Sequence, residues 1–157
     1  MNEPKTPCIG ICSTTSLGDK ICRGCKRFGF EVINWNQYGE AEKRAVLKRL
    51  DVLTGQIMNA RIRIVSPAKL QQALDDYRFF YDPDMSPHTW LHNLMQKRLH
   101  RIEKLEDIGA QLLPAYANYT LRELVQEINE ELLRLSEAHF ERYFETFRGV
   151  AGKGGRP

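Results

Sequence analysis

The chain has 157 residues, 42% of them hydrophobic and 27% charged, which suits one compact domain, or a small module joined to a modest one, with an ordinary core. A formal net charge of +3 is too small to require a polyanion partner, and the longest apolar stretches are too short to cross a bilayer. Met1 to Thr6 is polar and contains Pro4, so it lacks the apolar core of a secretory signal, and the expected compartment is the cytoplasm.

Residues 1–28 are rich in Cys, Gly, Thr, Ser and Lys, with turn formers at Pro4, Pro7, Gly10, Gly18-Asp19 and Gly24. No helical or strand period runs long enough there to fold alone. From Phe28 the pattern turns helical. A short segment, Phe30 to Trp35, offers Phe30, Ile33 and Trp35 for packing. A longer helix is expected from about Glu40 to Ile64, because Val46, Leu50, Leu53 and Ile57 are spaced four, three and four apart and draw one apolar stripe. Ser66-Pro67 ends it and supplies the cap and first-turn proline of the next helix.

Three further helices follow. The first carries Leu70, Ala73, Leu74 and Tyr77 and breaks at Asp82-Pro83. The second starts at Ser86-Pro87 and carries Trp90, Leu91, Leu94, Ile102, Leu105 and Ile108 before Gly109. The last opens on Thr120 and Glu123, the pair of a capping box, and runs through Leu132, Leu135 and Phe144 to Phe147. Residues 149–157 are Gly-rich and basic and are expected to be a disordered tail. No run of alternating residues predicts a sheet. The expected architecture is therefore mainly α: a four-cysteine metal knuckle followed by a bundle of about four helices. Its divisions are 1–65, 66–148 and the tail at 149–157.

Four cysteines, the whole complement of the chain, fall at Cys8, Cys12, Cys22 and Cys25. The spacing is Cys-x3-Cys-x9-Cys-x2-Cys, so each pair can turn back and present two sulfurs to one ion. Confinement to so short a stretch argues for thiolate ligands in a reducing compartment rather than disulfides. Tetrahedral sulfur ligation suits zinc, at Zn–S distances of about 2.3 Å. Four thiolates around a divalent ion leave a net double negative charge, which Lys5, Lys20, Arg23, Lys26 and Arg27 are placed to offset. An iron–sulfur cluster also takes four cysteines, although the spacing matches neither the bacterial nor the plant ferredoxin run. Closed sulfur coordination leaves no open position for substrate, which points to a structural site. A redox dithiol at Cys22-Arg23-Gly24-Cys25 is disfavoured because no strand–helix pattern of the thioredoxin kind surrounds it.

The stretch from Pro7 to Leu50 contains Pro7-Cys8-Ile9-Gly10-Ile11-Cys12, Ile21-Cys22-Arg23-Gly24-Cys25, Arg27, Trp35 and the helix Glu42 to Leu50. It resembles domain-of-unknown-function family 1289, whose members are commonly labelled predicted iron–sulfur proteins. The resemblance implies a metal-binding cysteine module, with the four cysteines at the matching positions, and names a cofactor class without a reaction. After Arg27, Phe28-Gly29-Phe30 stands where a Thr-containing turn is more common. Nothing in residues 66–157 resembles a known family.

Other groupings have plainer readings. His88 and His92 lie four apart near a helix start, but no acidic residue completes a metalloenzyme motif, so a surface or capping role is expected. Residues 1–65 hold 11 Lys and Arg against 6 Asp and Glu. Six of those cations, Lys43, Arg44, Lys48, Arg49, Arg61 and Arg63, make the long helix basic. They offer a face for phosphates, or a solvated face paired with Glu40, Glu42 and Asp51. Glu127, Glu130, Glu131 and Glu137 have no Glu-x-x-His partners of a di-iron bundle. Tyr77, Phe79, Phe80, Tyr81 and Trp90 read as core or interface. With no phosphate loop, nucleophile elbow or triad, an enzyme is not indicated. The expected function is that of a zinc-stabilised accessory or regulatory protein acting through another protein. Iron–sulfur electron transfer and nucleic-acid binding by a zinc module are the alternatives.

Overall fold

The computed structural model describes residues 20–22 and 24–154, with side chains as far as Tyr143. Helices dominate: α1 (Gly29–Asn34), α2 (Glu40–Asn59), α3 (Pro67–Asp76), α4 (Pro87–Arg98) and α5 (Leu121–Gly154). The knuckle half of the expected architecture falls partly outside the described residues, with Cys8 and Cys12. The chain divides into two units, Met1–Lys43 with Glu131–Pro157, and Arg44–Glu130. The boundaries fall inside α2 and α5.

In the first unit, Ile21 and Phe28 form an antiparallel bridge, closing a hairpin around Cys22 and Cys25. Phe28 then precedes α1, where Glu31 reaches back to accept from the Phe28 amide at 2.8 Å, satisfying an orphan donor of the first turn. Trp35–Gln37 continues as a 3-10 turn. Phe28 packs edge-on against Phe140 of α5 at 5.3 Å between ring centres, and Phe30 stacks with Tyr143 at 6.0 Å. Trp35 is buried, but Ile33, expected to pack, is 74% exposed. The helix has only six residues, too few turns to bury more than one face.

In the second unit the apolar stripe of α2 holds at Val46, Leu53 and Ile57, which are buried, while Leu50 is half-buried. The helix stops at Asn59 rather than Ile64. Arg61 folds back so that its Nη1 donates to the Ile57 carbonyl at 3.0 Å, occupying an end carbonyl that would otherwise lack a partner. Ile62–Ile64 becomes strand β1 and pairs antiparallel with β2, Ala110–Leu112, in the register Ile62↔Leu112, Arg63↔Gln111, Ile64↔Ala110. This two-stranded sheet corrects the expectation of none. Three residues per strand are too few for alternation to stand out in the sequence, and the β-branched Ile62 is held by its pairing and complete burial.

Ser66 caps α3, accepting from the Lys69 amide at 3.2 Å with Pro67 in the first turn. The helix ends at Asp76, short of Asp82-Pro83, where Arg78 takes the left-handed conformation (φ 53°). Helix α4 begins as expected at Ser86-Pro87 but ends at Arg98. Beyond it the chain makes two 3-10 turns, Leu99–Arg101 and Leu105–Ile108, with Ile102 extended between them. Ile102, Leu105 and Ile108 repeat every three residues, a spacing that the 3-10 period satisfies as well as the α period does. Gly109 (φ 82°) then turns the chain into β2, and a Cβ there would lie 2.6 Å from the Ser66 carbonyl.

The capping box of α5 is complete. Thr120 Oγ1 accepts from the Glu123 amide at 3.1 Å, and Glu123 Oε2 accepts from the Thr120 amide at 3.4 Å. Leu124, Ile128 and Leu132 line its buried face. The helix continues to Gly154, into the stretch read as a tail; residues 155–157 lie outside the described ones. Among the described residues no helix is long and apolar enough to cross a membrane.

Candidate metal centre

The hairpin from Lys20 to Gly29 is built by backbone bonds that cross a tight turn. The Cys22 amide donates to the Arg27 carbonyl at 2.9 Å, the Lys26 amide to the Cys22 carbonyl at 2.7 Å, and the Gly29 amide to the Lys20 carbonyl at 2.8 Å. Lys26 closes the turn with φ 65°, a left-handed conformation that costs a side-chain-bearing residue about 1–2 kcal/mol. The turn carries Cys22 and Cys25 on one hairpin, three residues apart. Both are withdrawn from solvent, with exposures of 1% and 8%.

Charge surrounds them. Lys26 and Arg27 are only 5% and 4% exposed. The Arg27 Nε–H donates to Cys25 Sγ at 3.1 Å, and its guanidinium lies 4.9 Å from the centre of the Trp35 ring. The Lys43 ammonium stands 5.9 Å from the same ring. Lys26 Nζ donates to the Gly24 carbonyl at 3.2 Å. Burial pushes the Cys25 thiol above its ordinary pKa, against the pull of Arg27. Burial likewise pushes the Lys26 ammonium down, against the pull of Cys22 and Cys25.

Two buried cations beside two buried sulfurs fit a metal centre. A divalent ion holds its cysteine ligands as thiolates, and thiolate charge offsets cations that burial would otherwise disfavour. Cys22 and Cys25 would be the ligands from this turn. Cys8 and Cys12, the other two expected ligands, lie outside the described residues, as do Lys5 and Arg23. Among the described residues no three His, Cys, Asp or Glu side chains gather as for a metal ion.

The remaining groupings separate. His88 Nε2 donates to the Ile62 carbonyl at 3.0 Å, while His92 Nε2 lies 3.2 Å from Asn129 Oδ1, so the two rings serve different contacts. The six cations of the basic stretch do not make one face. Lys43 is buried in the first unit. Arg61 is buried and ion-paired with Glu127 at 3.1 Å, and Arg44 meets Asp84 at 3.4 Å. Asp51 serves the start of α4, accepting from the Ser86 amide, the Ser86 hydroxyl and the Thr89 hydroxyl. Trp90 is buried, donating from Nε1 to the Asp82 carbonyl at 2.7 Å, whereas Phe80 is exposed. Sequence reasoning placed Arg27 as a charge near the sulfurs and Trp35 as packing, and missed their stacking, which follows no helical period.

The family described as "Protein of unknown function (DUF1289)" matches residues 6–53. The chain is also 38% identical over 64 residues to proteins titled "Uncharacterized protein YdhL" from Escherichia coli O6:H1, Escherichia coli K12 and Shigella flexneri. That alignment takes in 73% of each relative and 41% of this chain. The chain belongs to the DUF1289 family. The family segment contains all four cysteines together with Arg27, Trp35 and Lys43, and ends within α2. Most of this chain lies beyond it. No solved structure matches the chain.

Proposed function

We propose that the protein is a zinc-stabilised accessory or regulatory protein of the cytoplasm, acting by binding another protein, with Cys8, Cys12, Cys22 and Cys25 as the metal ligands. The observation that carries this reading is the buried turn that holds Cys22 and Cys25 beside two buried cations. Such a turn presents two sulfurs to one centre and supplies donors that hold them. A zinc ion bound by four thiolates keeps no position open for substrate, so its role is to order the chain. In peptide modules such sites contribute about 10–16 kcal/mol, ample for a segment with few apolar anchors. With Lys43 and Arg61 buried, the basic stretch offers phosphates fewer cations than its sequence suggests, which favours the protein-binding reading.

Elemental analysis and the visible spectrum of anaerobically purified full-length protein test the reading. One zinc per chain in a colourless protein is expected. A brown protein whose visible absorption dithionite bleaches would replace it with the iron–sulfur electron carrier. Protein with neither metal would end both readings.

A further inference from the structure

Arg27 donates from its side chain directly to a cysteine sulfur, with Nε 3.1 Å from Cys25 Sγ. Its guanidinium is held against the buried Trp35 ring, 4.9 Å from the ring centre. Stacking fixes a guanidinium plane, and with it the direction of its in-plane N–H donors. Lys26, next to it in the chain, is as deeply buried, and its ammonium donates to the Gly24 carbonyl. A charged donor to a thiolate draws electron density from sulfur and orients the lone pairs it presents to a metal.

Resting on the metal reading above, we infer that Arg27, braced by Trp35, is the positioning residue of the centre: it orients the Cys25 sulfur and sets the strength and electronic character of its bond to the metal. Trp35 acts through Arg27, by holding the donor in line. Only a planar, permanently charged donor does this, so a lysine in place of Arg27 would not be equivalent even with the charge retained.

Cobalt(II) loaded into the full-length protein gives the readout, through the sulfur-to-cobalt charge-transfer band and chelator competition. Removing the hydrogen bond raises the energy of the sulfur donor orbital, so Arg27→Met is expected to move the band to longer wavelength, while the lost orientation and the lost cation that favours the thiolate weaken metal binding by about 10–100-fold. Arg27→Lys should do the same to a lesser degree, and Trp35→Phe should shift the band partway. A purely structural role would lower the melting temperature and leave the band in place. If Arg27→Met does not fold, Arg27→Lys and Trp35→Phe carry the same comparison. A wild-type band with undiminished affinity in the folded Arg27 variants overturns this inference and leaves the metal reading standing. Absence of any thiolate–cobalt band in the wild-type protein overturns both.

Discussion

At the scale of single residues, Cys22, Cys25 and Lys26 hold the most informative chemistry. Two thiols with almost no solvent contact sit on a turn of four residues, and the residue that closes it adopts φ 65° despite carrying a long side chain. If the thiols are ligands, replacing either Cys22 or Cys25 with Ser should take the metal content from one per chain toward none, read by elemental analysis. Full metal retention in both variants would remove them from the ligand set. The closing turn makes a separate prediction. Lys26→Gly and Lys26→Ala both delete the ammonium, but only Gly adopts the left-handed conformation without strain. The Gly variant is therefore expected to be the more stable of the two by about 1 kcal/mol in denaturant titration, and equal stability would show that the turn relaxes.

Among the elements, the ends are more instructive than the middles. Helix α2 stops where Arg61 turns back on Ile57, and the residues that follow find strand partners 46 to 50 positions away. That pairing depends on Gly109, whose carbonyl accepts from the Val65 and Ser66 amides at 2.8 and 3.0 Å. Gly109→Ala meets two penalties at once: a left-handed backbone and a Cβ 2.6 Å from the Ser66 carbonyl. It is expected to destabilise the second unit by at least about 1–2 kcal/mol, measured as a lowered unfolding midpoint with secondary structure intact below it. An unchanged midpoint would mean that the turn between the last 3-10 segment and β2 is not held as described.

For the molecule as a whole, the proposed metal centre and the helical core would be separate sources of stability. The second unit contains no cysteine, and Leu70, Leu74, Leu91, Leu94 and Leu124 are fully buried within it. Removing metal with a strong chelator should therefore leave the slow amide hydrogen exchange of α3 and α4 in place, while amides of residues 20–29 lose protection. Loss of protection throughout residues 44–130 would show that the core depends on the metal. The family segment, at residues 6–53, carries the four cysteines with Arg27 and Trp35, and the longer remainder of the chain supplies this buried leucine core.

Helix starts and the helical class were readable in the order of residues, because their causes are local. Ser66-Pro67, Ser86-Pro87 and Thr120 with Glu123 satisfy backbone donors within three residues of themselves, and each begins a helix where expected. What the chain does beyond the helix ends was not local. Ile62–Ile64 is strand because Ala110–Leu112 lies beside it, and Ile102 to Ile108 leaves the α-helix although its apolar spacing fits one. Trp35 meets Arg27 across eight residues that share no period. Near-neighbour hydrogen bonds and apolar periods are written in the order of residues. Strand partners, the burial of a charge and the aim of a donor at a sulfur arise only when distant segments exclude water from one another.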